Sequence, residues 1–109
     1  TLRGFSNHKI VNILEHYKKC DITHSLSFDF LKKIAKKVGF NISGITTQGS
    51  FLKKLGIVER AEMVSKKMNF SDKANIYYRL EKLIGKQFMG DVFKVMLLTN
   101  NKTKFKIGF

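Results

Sequence analysis

Proline and tryptophan are absent from this chain, cysteine occurs once, and arginine occurs only three times. The lone Cys20 excludes an internal disulfide framework and any zinc site built on several thiolates. No apolar run approaches the ~18 residues of a membrane-spanning helix, and no stretch reads as a signal-peptide core. No G-x-G-x-x-G or Walker-type loop occurs, so no phosphate cradle is written here. Internal repeats, linkers and low-complexity segments are also missing. His8, His16 and His24 lie at spacings of eight, with no Cys or carboxylate completing a ligand pattern, so no metal site is expected. Cys20 lacks the basic or helix-N-terminal setting of a nucleophile.

Lysine dominates what is present. Lys plus Arg number 21 against 8 Asp plus Glu, a formal net charge of +13. Such a balance raises nucleic acid or an anionic membrane as partner. Yet 18 of the basic residues are Lys, beside abundant Ile, Asn and Phe, which is the bias that A+T-rich codons produce. Recognition of phosphates and base edges favours the planar fork of Arg. The pairs Lys32-Lys33 and Lys36-Lys37 fall opposite apolar positions and read as a solvated helix face. The 109 residues, 43% hydrophobic, suffice for one domain with a core and exclude intrinsic disorder. The chain begins at Thr1 rather than Met, which suggests a piece of a longer protein.

Residues 1–9 read as a loop, and Ile10, Val11, Ile13, Leu14 and Tyr17 have the spacing of a short helix. Residues 20–27 read as extended. A helix over 28–38 is predicted from Ser27 as N-cap, Asp29 in the first turn, the stripe Leu31, Ile34, Ala35, Val38, and Gly39 beyond its end. Residues 40–47 suit a strand. Three helical pieces follow: Phe51 to Leu55 capped by Ser50, a second marked by Ile57, Ala61, Val64 and Met68, and a third capped by Ser71 or Asp72 and ending before Gly85. After a break at Met89-Gly90, residues 92–99 read as a strand buried on both faces, and Asn100-Asn101 as the turn of a C-terminal hairpin. Phe28, Phe30, Phe40, Phe51 and Phe93 have core spacing rather than that of a base-stacking platform. The fold class is therefore α/β.

Several short motifs occur in order: Thr1-Leu2-Arg3-Gly4-Phe5 with His8-Lys9, Asp21-Ile22-Thr23 before Phe28, Thr47-Gln48-Gly49 with Phe51-Leu52 and Leu55-Gly56-Ile57, and Met89-Gly90 with Phe93-Lys94-Val95. In this the chain resembles the C-terminal part of the MidA family of S-adenosylmethionine-dependent methyltransferases. The resemblance implies a class I, Rossmann-like, seven-stranded fold with a helical insertion and a C-terminal β-hairpin. Its N-terminal half, with most of the cofactor site, would be absent from this chain. The strands over 42–47 and 92–99 would close the sheet as an antiparallel pair. The family has a Pro-Gly turn near Tyr17-Lys18, whose loss here would make the stretch before it more helical. Acidic or His, Asp and Glu residues of the family are replaced by Ser25, Ser27 and Ser50.

The resemblance also implies methyl transfer to protein arginine, in a bacterial cytoplasm or a mitochondrial matrix, with a respiratory complex I subunit among the substrates. Arginine substrates need carboxylates in fork geometry. Asp21 is the candidate for that task, with Arg3, His8 and Thr23 as further substrate-binding candidates; each also has a structural reading as a turn, cap or loop residue. Gln48 reads as a tie between a strand end and the next helix. No catalytic residue is assigned, and the segment itself is expected to be inactive alone. Two alternatives stand beside this reading: a small basic nucleic-acid-binding module, and an inactive remnant or interaction domain.

Overall fold

The structure, a computed structural model, describes residues 2–100 and 107–109, and its chain divides into two compact units, Thr1–Ile34 and Ala35–Phe109. The first is built on a three-stranded antiparallel sheet of order β2-β1-β3, with β1 at Arg3–Ser6, β2 at Lys9–Val11 and β3 at Asp21–Thr23. The stretch expected to be a loop is therefore a hairpin. Its two-residue turn is Asn7-His8, at φ 49 and 62, the double positive φ of a type I′ turn. Sequence pattern missed it because His replaces the Gly that normally marks such turns.

The helix expected over residues 10–17 does not form. Ile10 and Val11 belong to β2, and Asn12 redirects the chain. Asn12 Oδ1 accepts from the Leu14 N–H at 3.0 Å and its amide donates to Glu15 at 3.1 Å, a local turn that competes with helix. Loss of the Pro-Gly turn has not released a helix either. Lys18, at φ 63, keeps the left-handed backbone that a glycine would supply.

Helix α1 (Phe28–Lys37) forms as its sequence dictates. Ser27 Oγ accepts from the Phe30 N–H at 3.3 Å, and Asp29 pairs with Lys32 at 2.9 Å. The Lys32 hydrogen bond, then its charge, hold the exposed Asp29 carboxyl below the usual aspartate range. At the other end Gly39 is left-handed at φ 90. The Phe40 N–H bonds back to Ala35 O at 2.9 Å and the Gly39 N–H to Lys36 O at 3.2 Å, the paired bonds of a Schellman stop.

In the second unit, β4 (Asn41–Thr47) and β5 (Lys94–Thr99) form the expected antiparallel pair, registered from Asn41 opposite Thr99 to Thr47 opposite Lys94. The register shifts between Ile42 and Gly44, and there Ser43 Oγ bonds Thr99 Oγ1 at 2.9 Å. Between these strands lie α2 (Gln48–Lys54), α3 (Ile57–Ser65), α4 (Phe70–Ile84) and a single turn, α5 (Met89–Val92), where a break was expected. Two caps lie earlier than expected. Thr47, not Ser50, caps α2 by accepting from the Ser50 N–H at 3.3 Å. Asn69, not Ser71 or Asp72, caps α4, accepting from the Asp72 N–H and donating to its carboxylate, both at 2.9 Å.

Ala61, Leu80 and Ile84 form the buried cluster, with Leu52, Ile57, Val58 and Ile76 packed on it. The expected phenylalanine core is corrected. Phe30, Phe40 and Phe93 are 62%, 42% and 52% exposed, and Leu98 of β5 is exposed too, so β5 is not covered on both faces. For Phe40, Phe93 and Leu98 the physical reason is that a two-stranded ribbon among the described residues has too few layers to cover them. The expected C-terminal hairpin falls mostly on residues 101–106, outside the described ones. Phe109 stacks edge-on against Phe51, with ring centroids 5.4 Å apart.

Candidate functional site

The three-stranded sheet gathers three of the four expected site residues. Arg3 stands opposite Thr23 and Phe5 opposite Asp21 in the β1–β3 register. Alternation of side chains puts Arg3, Thr23, Phe5 and Asp21 on one face. Arg3, Asp21 and Thr23 are all exposed. Arg3 also lines a shallow apolar hollow of about 390 Å³ with Leu2, Ile10, Ile13 and Leu14, which Asp21 and Thr23 do not reach. His8 is different. It sits in the hairpin turn, and its position follows from backbone geometry. Among the described residues no cluster of His, Cys, Asp and Glu could hold a metal ion, and no helix is long and apolar enough to cross a membrane.

The second unit explains why the Thr47-Gln48-Gly49 and Met89-Gly90 motifs belong together. The Gln48 N–H donates to Phe93 O at 2.9 Å, and its side-chain amide donates to Leu83 O at 2.9 Å. One residue thereby fixes the start of α2, the end of α4 and the approach to β5. Gly49 is buried where a Cβ would lie 2.7 Å from Ile84 O and 3.2 Å from the Gly90 Cα. Backbone meets backbone at this point, so both positions demand glycine.

Beside this node is a hollow that sequence reasoning missed. Thr47, Ser50, Lys53, Lys86 and Asp91 line about 210 Å³ at the carboxyl end of β4. A neighbouring hollow of about 410 Å³ shares Lys53 and Lys86 and adds Glu81 and Gln87. Lys53 had looked like one of many solvated lysines; its proximity to the Thr47-Gln48-Gly49 motif was the available signal.

No family model matches the chain. It is 32% identical over 100 residues to the protein arginine methyltransferase NDUFAF7, mitochondrial, of Danio rerio, covering 92% of this chain and 24% of that protein. The Xenopus tropicalis protein of the same name is 28% identical over 95 residues, covering 86% of this chain and 22% of its own length. A crystal structure of a likely methyl transfer enzyme from Burkholderia thailandensis, bound to S-adenosyl-homocysteine, superposes with TM-score 0.76 at 24% identity, over 91% of this chain and 26% of that one. The resemblance to the C-terminal part of the MidA family stands. A second Burkholderia thailandensis structure, of an uncharacterized protein of the same superfamily, superposes with TM-score 0.73 at 25% identity, over 88% of this chain and 26% of that one. The chain spans about a quarter of the length of the relatives it matches. Its α/β architecture is that of part of a methyltransferase fold.

A Rossmann-type cradle needs an open glycine turn between strand and helix. At the β4–α2 junction the space beside Gly49 is filled by Ile84 O and Gly90. This turn is therefore a packed contact and not an open glycine cradle.

Proposed function

We propose that this chain is the C-terminal segment of an S-adenosylmethionine-dependent methyltransferase acting on protein arginine, and that it is not competent alone. The observation that carries this reading is the 32% identity to an arginine methyltransferase across 92% of the chain. Cofactor binding falls to the remainder of the parent enzyme. The protein substrate is a respiratory complex I subunit in a mitochondrial matrix, or its counterpart in a bacterial cytoplasm. Asp21, exposed on β3, accepts guanidinium N–H bonds and aims a nitrogen at the methyl group. Arg3 and Thr23, on the same sheet face, bind the substrate's backbone beside it.

The test joins the chain to its upstream coding sequence and follows transfer of labelled methyl groups to arginine-containing protein. The joined enzyme transfers methyl groups and the 109-residue chain does not. Asp21→Asn lowers kcat by ~10²-fold through loss of orientation, with the circular dichroism spectrum unchanged. Full activity in that variant would remove Asp21 from the site while leaving the methyltransferase reading intact. An inactive joined enzyme that also fails to bind the cofactor would sink the reading itself.

A further inference from the structure

Against eighteen lysines the chain has three arginines, and two of them sit on one groove. Ile57, Arg60 and Ala61 of α3 face Ile76, Arg79 and Leu80 of α4 across it. The spacing is the same on both helices: Ile, then Arg three residues on, then a buried apolar residue. The two stripes end in Val64 and Leu83, which are 48% and 37% exposed. Positions at this spacing normally belong to the apolar face of a helix. Here each helix places a guanidinium among them, whereas Lys73 and Lys82 of α4 line none of the groove. No carboxylate lines it, and among the described residues the one ion pair is Asp29–Lys32.

The groove holds about 260 Å³ and is open along its length. That is below the roughly 300–1,000 Å³ that encloses a small molecule. It suits the apolar anchors of a helix laid into a groove, spaced at i, i+3 and i+4. A second copy of this chain seated on a two-fold axis here would set the arginines against their own counterparts with no carboxylate to receive them. An occupant of opposite charge satisfies both features. Arginine, with its flat, weakly hydrated fork, is the side chain suited to an apolar rim that must also take a carboxylate.

We propose that the α3–α4 groove docks an amphipathic helix of another protein, whose apolar stripe is flanked by Asp or Glu carboxylates that Arg60 and Arg79 receive. The inference does not depend on methyl transfer. Its test is fluorescence anisotropy with a labelled helical peptide carrying a leucine stripe flanked by glutamates, and the same peptide with glutamines. The glutamate peptide binds about tenfold more tightly, and its advantage shrinks as salt rises. Arg60→Glu with Arg79→Glu removes that advantage, Arg60→Lys with Arg79→Lys keeps part of it, and Lys73→Glu, outside the groove, changes affinity less than about twofold. Amide shifts on binding centre on Val64 and Leu83. Equal binding of the two peptides would overturn the proposal. So would full binding by the double glutamate variant with an unchanged circular dichroism spectrum, or Arg60- and Arg79-dependent capture of anionic vesicles with the peptide left free.

Discussion

His8 occupies the second loop position of a two-residue hairpin at φ 62, a conformation that costs a side chain with a Cβ about 1–2 kcal/mol. Glycine relieves that cost and gives back part of it as unfolded-state freedom. His8→Gly should therefore stabilise the β1–β2 hairpin by roughly 0.5–1 kcal/mol, seen as slower amide exchange at Phe5 and Ile10. Methyl transfer by the joined enzyme should be unchanged if the turn backbone is all that His8 supplies. A fall in activity with the hairpin intact would return the imidazole to the site. The same residue shows what a sequence hides. Arg3, Asp21 and Thr23 were legible as a group because their motifs occur in order, and strand register then brought them to one face. His8 came from an equally good motif match, and the fold places it in the hairpin turn instead of on that face. The caps were ambiguous for a related reason. Thr47 and Ser50, like Asn69, Ser71 and Asp72, are all competent cap residues within a few positions, and only the place where the preceding backbone is extended selects one.

Packing, more than local propensity, sets the elements around Gly49. Helix α1 needed nothing beyond its own residues: a serine cap, an apolar stripe and a glycine stop, all visible in sequence. The single turn α5 is the opposite case. No side chain caps its N-terminus, and it lies where Gly90 can meet the carbonyl of Ile84. That is why Met89-Gly90 read as a break. Gly49→Ala puts a methyl group 2.7 Å from Ile84 O, and backbone on both sides leaves it no escape. The expected loss is about 1–3 kcal/mol, the usual result of forcing volume into a packed contact. Urea unfolding followed by far-ultraviolet circular dichroism measures it. An unchanged midpoint would show that α2 and the α4 terminus can slide apart, and that Gln48, through its bonds to Leu83 O and Phe93 O, does not hold them together.

Across the whole molecule, apolar content and burial diverge. The chain is 43% hydrophobic, yet the buried apolar side chains among the described residues are Ala35, Ala61, Leu80 and Ile84. Phe40, Phe93 and Leu98 lie within or beside the β4–β5 ribbon and remain 42%, 52% and 41% exposed. Exposed apolar surface on this scale marks a contact made elsewhere. Joined to the upstream sequence, as proposed, these side chains should be covered by further strands and helices. Completing their burial contributes about 1–3 kcal/mol each, from ~25 cal/mol per Å² of apolar area. The joined protein should therefore unfold at a higher urea concentration, with a steeper slope than the chain alone, because slope follows the surface exposed on unfolding. Binding of a hydrophobic dye should fall in parallel. If the chain alone bound no dye and its unfolding midpoint matched that of the joined protein, the ribbon would be a finished surface and the segment an independent domain. The phenylalanines read as core from their spacing would then have no core to enter, whereas a fall in dye binding on joining would give that spacing its reason.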